Sequence, residues 1–275
     1  MSRAELEGRL RALGEQGDEP LKLAEGALAL AGLDRVRTSL DPYRLHLDQL
    51  AADVAGEAAS AESLTERLEA LARVVYSEAG YAGDSETYDD PENADLTRVI
   101  DKRRGLPVTL GILLIHIARA QNWSMVGLGF PGHFLVRLDE GGQRAILDPF
   151  AGARVLGAVE LRELLKSIAG VGAELTPDIY EPVSDRHILM RLQNNIKTRA
   201  LQGDDLARAI TVLERIVLFA PDSLDSWREL GVLRPRLGDV KGGIAALEHC
   251  LELDVQDPQR ARVNRLLEKL RASLN

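Results

Sequence analysis

Residues 105–150, GLPVTLGILLIHIARAQNWSMVGLGFPGHFLVRLDEGGQRAILDPF, read as one apolar helix followed by a two-stranded ribbon. Pro107 suits a first helical turn, where its missing N–H costs nothing. From Leu110 to Ala118 the helix is apolar nearly all round, which predicts burial on most sides. Gly111 costs about 1 kcal/mol against Ala there, and is useful if another backbone or a ligand approaches closely. Met125 to Phe130 has strand character up to Pro131-Gly132. His133 to Leu138 alternates, Asp139-Glu140-Gly141-Gly142 turns, and Ala145 to Phe150 returns as the partner strand. His133 thus opens one strand and Asp148 closes the other. An even-residue loop between the strands puts both side chains on one face.

A helix start, a strand His and a strand Asp are the parts of a nucleophile–base–orienter triad. The stretch contains no Cys. Pro107 cannot be a nucleophile. Thr109 is a poor one, because its hydroxyl stays protonated near neutral pH; its simpler role is to satisfy an orphan N–H of the first turn. His116, inside the apolar helix, reads as a satisfied core histidine.

Upstream the chain is helical. Ala4 to Leu13, Pro20 to Leu33, a segment opening at Asp41-Pro42, and one begun by Ser63 or Thr65 each carry apolar residues at helical spacing. Residues 79–92 are Gly-rich and acidic. Asp84, Glu86, Asp89, Asp90 and Glu92 lack the spacing of a calcium loop, so the segment reads as a solvated loop. Asn93 is the expected N-cap of a helix ended by Gly105. Downstream, residues 158–170 form another helix, and the prolines of Thr176-Pro177-Asp178-Ile179-Tyr180-Glu181-Pro182 mark a boundary that bars regular structure. Beyond Asp185, Ala209-Ile210 with Leu213-Glu214 recurs as Gly243-Ile244 with Leu247-Glu248, an offset of 34, and Asp205 and Asp239 keep that offset. Trp227, Leu230 and Gly231 complete a tetratricopeptide first-helix signature, so about two repeats and a closing helix, Gln259 to Leu274, are expected.

The totals exclude several classes. The 275 residues carry a formal net charge of −9, which argues against a nucleic-acid or anionic-membrane surface. Cys250 is the single cysteine, so an intramolecular disulfide and a Cys-rich metal site are excluded; its neighbours Leu247, Leu251 and Leu253 predict a buried, inert thiol. The charged N-terminus lacks the apolar core of a signal peptide, and the longest apolar run is shorter than the roughly 20 residues a membrane span needs. The cytoplasm is the expected compartment.

Gly105-x-Pro107, Ala118-Arg119-Ala120, Pro131-Gly132-His133-Phe134-Leu135-Val136-Arg137 and Asp148-Pro149-Phe150 resemble the transglutaminase-like domain of the bacterial SirB-type proteins, which joins this core to C-terminal tetratricopeptide repeats. Asp90-Pro91-x-Asn93 and Arg191-x-x-Asn194-Asn195-x-Lys197 also resemble family positions. The resemblance implies an α+β fold with a papain/transglutaminase-like core (about 71–157) inside a first domain of residues 1–178, and an all-α repeat domain over 185–275. In such cores the catalytic Cys stands at the start of the central helix. Here that place falls to Pro107, or to Thr109 if the alignment slips by two. The expected function is therefore a non-catalytic module that binds protein or peptide through the repeats and a groove. The groove carries the triad-like Thr109, His133 and Asp148, with Pro107, Gly132 and Phe134 as binding residues. No cofactor, metal, nucleic acid or membrane is expected. A hydrolase or acyltransferase using Thr109, His133 and Asp148, and a purely structural scaffold, are the alternatives.

Overall fold

A computed structural model of the chain describes residues 1–17, 20–35, 38–253 and 257–273. The chain divides into two compact units, residues 1–6 with 18–192 and residues 7–17 with 193–275. The sequence places a boundary between 178 and 185 instead. The division lies inside a helix, Asp185–Gln202, whose sequence has no Gly or Pro to interrupt it. Residues 7–17 belong to the second unit through contacts distant in sequence, which local patterning does not reveal.

The first unit begins with the helices α1 (Arg3–Glu15, whose first residues alone belong here), α2 (Leu23–Asp34), α3 (Asp41–Glu57) and α4 (Leu64–Ala72). Helix α2 starts three residues after Pro20, so that proline is outside it. The α3 stripe Tyr43, Leu47, Leu50 and Val54 is buried. Ser63 caps α4 through a reciprocal capping box with Glu66. One turn of π-helix, Arg73–Glu78, then continues α4. Two short parallel strands, β1 (Ala82–Gly83) and β2 (Arg104–Gly105), flank a 3-10 turn, Pro91–Ala94, and helix α5 (Leu96–Lys102). The α5 cap is Asp95, which accepts from the Thr97 and Arg98 amides. Asn93 is buried in the preceding 3-10 turn and caps nothing. Helix α5 ends at Arg103 in the left-handed conformation, with φ of 58°, two residues before Gly105.

The central helix α6 (Pro107–Ala120) is buried at every position except His116, Arg119 and Ala120. Each fully buried Leu or Ile there contributes roughly 1.5–3 kcal/mol. It lies beside an antiparallel sheet of five strands, where the sequence predicts a ribbon of two and strand character in Met125 to Phe130. The strands are β3 (Ser124–Leu128), β4 (Val136–Glu140), β5 (Gln143–Asp148), β6 (Arg154–Leu156) and β7 (Pro182–Val183), in the order β6-β5-β4-β3-β7. Pro182 enters a strand because β7 is at the sheet edge, where a missing donor is tolerated. Gly141 and Gly142, with φ of 56° and 82°, form the two-residue turn between β4 and β5. The resulting register pairs Val136 with Leu147 and leaves Ala145, Leu147, Val136 and Leu138 on one face. The other face presents Leu128, Leu135 and Leu156 to Leu161 and Leu165 of helix α7 (Ala158–Ala169).

Gly111 and Gly127 share one neighbour. A Cβ on Gly111 would lie 2.3 Å from the Phe134 ring, and one on Gly127 2.7 Å from it. The two glycines form a notch, on α6 and on β3, into which Phe134 inserts. The close approach anticipated at Gly111 is that of an aromatic side chain.

Three histidines of this chain are held toward the neutral form. Burial, then the adjacent Arg103 cation, lowers the pKa of His46, against a smaller opposing effect of Asp53. The Arg103 guanidinium and the Tyr81 hydroxyl both reach His46 Nε2, at 2.8 and 2.9 Å. Burial also lowers His116, whose Nε2 is buried and has no hydrogen-bond partner among the described residues, contrary to the satisfied core histidine read from sequence. His187 is lowered by burial and by Arg191. A group with a depressed folded pKa binds more protons unfolded, so its contribution to stability is full above the unfolded value near 6.5 and is lost as pH falls through the folded value. The carboxylates held low, such as Asp84 and Glu92, titrate beneath their ordinary values of 3.8 and 4.5. The histidines therefore dominate between pH 7 and 5. The urea midpoint is expected to fall over that interval, and less steeply in His46→Gln. A flat midpoint from pH 7 to 5 would contradict this account.

In the second unit, helices α8 (Asp185–Gln202, from Gln193 onward), α9 (Leu206–Phe219), α10 (Leu224–Leu233), α11 (Val240–Glu252) and α12 (Asp257–Ala272) carry the repeats. Asp205 and Asp239, set 34 apart by the repeat, cap α9 and α11 through the Arg208 and Gly242 amides. Gly231 is the small residue the signature requires: a Cβ there would lie 2.4 Å from Leu247. Cys250 is buried with Leu247, Val263 and Leu267, and burial pushes its thiol up. Residue 274, the end of the closing helix read from sequence, lies outside the described residues. Among the described residues no helix is long and apolar enough to cross a membrane.

Candidate functional site

The site forms where two segments of the first unit meet, residues 131–135 between β3 and β4 and residues 148–150 at the end of β5, with Phe134 of the first set against Gly111 of α6. His133 precedes β4 and does not open it. Pro131 lacks an N–H, Gly132 has φ of 66°, and the His133 amide donates to the Pro131 carbonyl at 2.8 Å, so the ladder begins only at Val136. The parity argument survives, since the register makes Leu135 the residue opposite Asp148 and His133 its diagonal neighbour.

His133 Nε2 and Asp148 Oδ1 are 2.9 Å apart. The same oxygen accepts from the Phe150 amide at 2.9 Å and the Ala151 amide at 3.4 Å. An oxygen taking two N–H groups is an acceptor, so Nε2 carries the hydrogen, and in the neutral ring that leaves Nδ1 as the acceptor. Both side chains are largely covered, at 16% and 11% exposure. Tyr76 holds the loop after Asp148: its hydroxyl donates to the Pro149 carbonyl at 2.7 Å, and burial, with Asp148 nearby, pushes its pKa up. The π-helical turn contains Tyr76, and no sequence pattern marks it.

Aromatic rings wall the pair. Phe150 meets His133 edge-on at 6.4 Å and Tyr88 edge-on at 5.7 Å. Gly83 admits that ring, since a Cβ there would lie 2.5 Å from Phe150. Tyr88 comes from the acidic loop, which is more ordered in its bonding than a solvated loop. Asp84 is buried and accepts from the Glu86 and Thr87 amides and the Thr87 hydroxyl. On the opposite side, Arg191 donates to the Phe130 and His133 carbonyls at 2.9 and 2.6 Å and lies over the Phe134 ring. Burial depresses its pKa, with Tyr88 acting in the other direction. Arg191 stands in the C-terminal block that resembles family positions, but its role of fixing the His133 backbone was not legible there.

Thr109 is fully buried, and its hydroxyl donates to the Asn93 carbonyl at 2.8 Å. That carbonyl also accepts from the Leu106 amide at 3.1 Å, while the Asn93 side chain donates to the Thr87 carbonyl at 2.7 Å. Asn93 thereby ties the acidic loop to the start of α6. Among the described residues Thr109 makes no hydrogen bond to His133. Pro107 is buried, and Phe134 is only 2% exposed in its notch. Gly132 is exposed and rests against Ile168 of α7, with room for no Cβ. The structure thus joins His133 to Asp148, adds Phe150, Tyr88 and Tyr76, and leaves Thr109 on a separate backbone partner.

Residues 41–194 match the family model described as transglutaminase-like superfamily, and residues 196–268 match the model described as tetratricopeptide repeat. The chain is 33% identical over 192 residues to a UPF0162 protein of Xylella fastidiosa, covering 68% of each chain. A UPF0162 protein of Vibrio cholerae is 28% identical, over 90% of this chain and 91% of its own. Protein SirB1 of Salmonella typhimurium is 25% identical, over 75% and 78%. With a domain model that spans more than half of its length and repeats behind it, the chain belongs to the transglutaminase-like superfamily, in the SirB-type group that carries C-terminal tetratricopeptide repeats.

Proposed function

We propose that this protein is a non-catalytic transglutaminase-like module that binds a protein or peptide, with the His133–Asp148 pair as the polar anchor of the first unit and the repeats as a second recognition surface. One observation carries the reading. The hydroxyl nearest the family's nucleophile position, that of Thr109, is fully buried and gives its hydrogen to the Asn93 carbonyl. A base needs a proton within hydrogen-bond reach to abstract, and His133 has no such partner in Thr109. The pair remains suited to recognition. Asp148 orients the imidazole with Nδ1 as an acceptor, so the ligand group it fits is an N–H or O–H donor, such as a peptide amide. The Phe150 and Tyr88 rings add apolar surface beside it.

The test combines labelling and binding. Incubation with a fluorophosphonate probe is expected to label neither the wild-type chain nor Thr109→Ala. An array of ten-residue peptides is expected to include sequences retained by the wild-type chain and held about ten-fold more weakly by His133→Ala, the size of one lost hydrogen bond to an oriented group. Labelling of the wild type that disappears in Thr109→Ala would instead establish a hydrolase or acyltransferase. Retention indifferent to His133 would leave this unit a scaffold.

A further inference from the structure

A second surface of the first unit is built for an extended segment, at the edge strand whose Arg154 pairs with Asp148. Strand β6 is at the edge of the sheet, and its outer edge pairs with no strand among the described residues. Helix α4 runs alongside. Between them is a groove of about 730 Å³, with Leu64, Leu68, Ala145 and Val155 as its apolar floor and Glu69, Arg144 and Arg154 at its border. Val155 pairs with Leu147, so its side chain shares the face of Leu147 and Ala145 that looks toward the groove. Leu147 is fully buried, whereas Val155 is 52% exposed. An apolar strand residue in mid-sheet register is therefore left half uncovered for want of a neighbour.

The opposite face of the same strand has the opposite chemistry. Arg154 alternates with Val155 and is exposed. Among the described residues its side chain makes no ion pair or hydrogen bond. Arg144 of β5 is exposed beyond it on the same face, and its nearest carboxylate is Asp139 at 3.6 Å. Edge strands of natural proteins are ordinarily blocked by charge, proline or a covering element. Here the charge is sparse: Arg144 and Arg154, with the single carboxylate Glu69, border an otherwise open groove with an apolar floor.

We propose that β6 is a docking edge for an acidic, β-forming peptide segment of a partner protein, added as a sixth strand. Strand addition draws affinity from main-chain hydrogen bonds and specificity from alternate side chains. A segment alternating aliphatic and acidic residues matches both faces at once: its aliphatic side chains enter the groove beside Val155 and Leu68, and its carboxylates lie beside Arg154. A second copy of this chain is the poorer occupant, because antiparallel pairing of two β6 strands puts both Arg154 cations on one face, diagonal to each other, and brings neither a carboxylate.

The probe is a fluorescein-labelled hexapeptide alternating valine and glutamate, with an alternating valine–lysine hexapeptide as its control. Both are titrated with the full chain by fluorescence anisotropy. The valine–glutamate probe is expected to bind saturably and the valine–lysine control not to bind. Arg154→Glu and Val155→Glu should each weaken the probe about ten-fold, the first by turning attraction into repulsion and the second by charging the groove. Both residues are exposed, so unchanged circular dichroism and melting of the variants separate lost docking from lost folding. Absence of saturation, equal binding of the lysine control, or variants that bind like the wild type would overturn the proposal. So would a concentration-dependent dimer in sedimentation that Val155→Glu disperses, since the occupant would then be a second copy.

Discussion

Phe134→Ala is expected to destabilise the protein by about 3–5 kcal/mol, the cost of truncating a buried aromatic in a site that collapses only in part around the gap. Collapse is limited because two sides of the site are backbone. Gly111 on α6 and Gly127 on β3 approach the ring where side chains would stand, and Arg191 covers it at 5.5 Å. Val136 and Ile188 stand at its rim, and they fill the volume only in part. Gly111→Ala gives the complementary test, in which two effects compete. Helix propensity favours Ala by about 1 kcal/mol. Against it, a Cβ 2.3 Å from the Phe134 ring forces the ring or α6 to move, and overpacking of this kind costs typically about 1–3 kcal/mol. The net sign is destabilising. In the double variant Gly111→Ala with Phe134→Leu the smaller side chain relieves the clash, so the pair should cost less than the sum of its parts. Urea unfolding of the four proteins measures this directly. A Gly111→Ala chain more stable than wild type would mean that the notch is looser than these distances require. Arg191 makes the prediction functional as well, since it bridges the Phe134 ring and the His133 carbonyl. Loss of the ring should weaken any ligand held by His133 even at temperatures where the chain stays folded.

The same residues show what sequence could and could not tell. The burial of α6 was legible because its apolar run leaves no polar face; the ribbon was legible but its register was not, because residues 139–142 all suit a turn and only the structure confines it to Gly141-Gly142. The penalty at Gly111 was legible too. Its partner was not, because Phe134 is 23 residues away and nothing local points from one to the other. His133 was read as a strand residue from an alternation that in fact begins at Val136; Gly132, in the left-handed region, carries the chain around first. Asn93 was read as a cap from its type, but its carbonyl is taken by Leu106 and Thr109. That bond decides how the site is read, and it pairs residues 16 apart through a main-chain acceptor, which residue types do not encode. Strand β7 was missed because proline excludes a central strand and says nothing against an edge.

Arg119→Met should have the second large effect, about 3–5 kcal/mol, through a buried ion pair that closes the first unit on itself. Asp185, at the start of α8, is 7% exposed. Arg119, in the last turn of α6, grips it in two parallel bonds of 2.7 and 2.8 Å, and the Leu21 amide donates to the same carboxylate at 2.8 Å. Three segments far apart in sequence meet in one carboxylate. Such a pair adds little net stability over apolar residues of equal size, because desolvating two charges offsets most of their attraction. Removing one partner is different, since the other stays behind uncompensated. The two partners are not equivalent. The Arg119 side chain is 28% exposed, so after Asp185→Ala its guanidinium can still reach water, whereas after Arg119→Met the Asp185 carboxylate, 6% exposed, keeps only one amide. Arg119→Met should therefore cost more than Asp185→Ala. The double variant Arg119→Met with Asp185→Leu should recover most of the loss, short of about 1–3 kcal/mol for the Leu21 N–H left without an acceptor. A double-mutant cycle by urea unfolding reads all three terms. Single variants of equal cost, or a double variant as unstable as the sum of the singles, would show that the carboxylate is reached by water and that the bidentate grip contributes nothing beyond a surface pair.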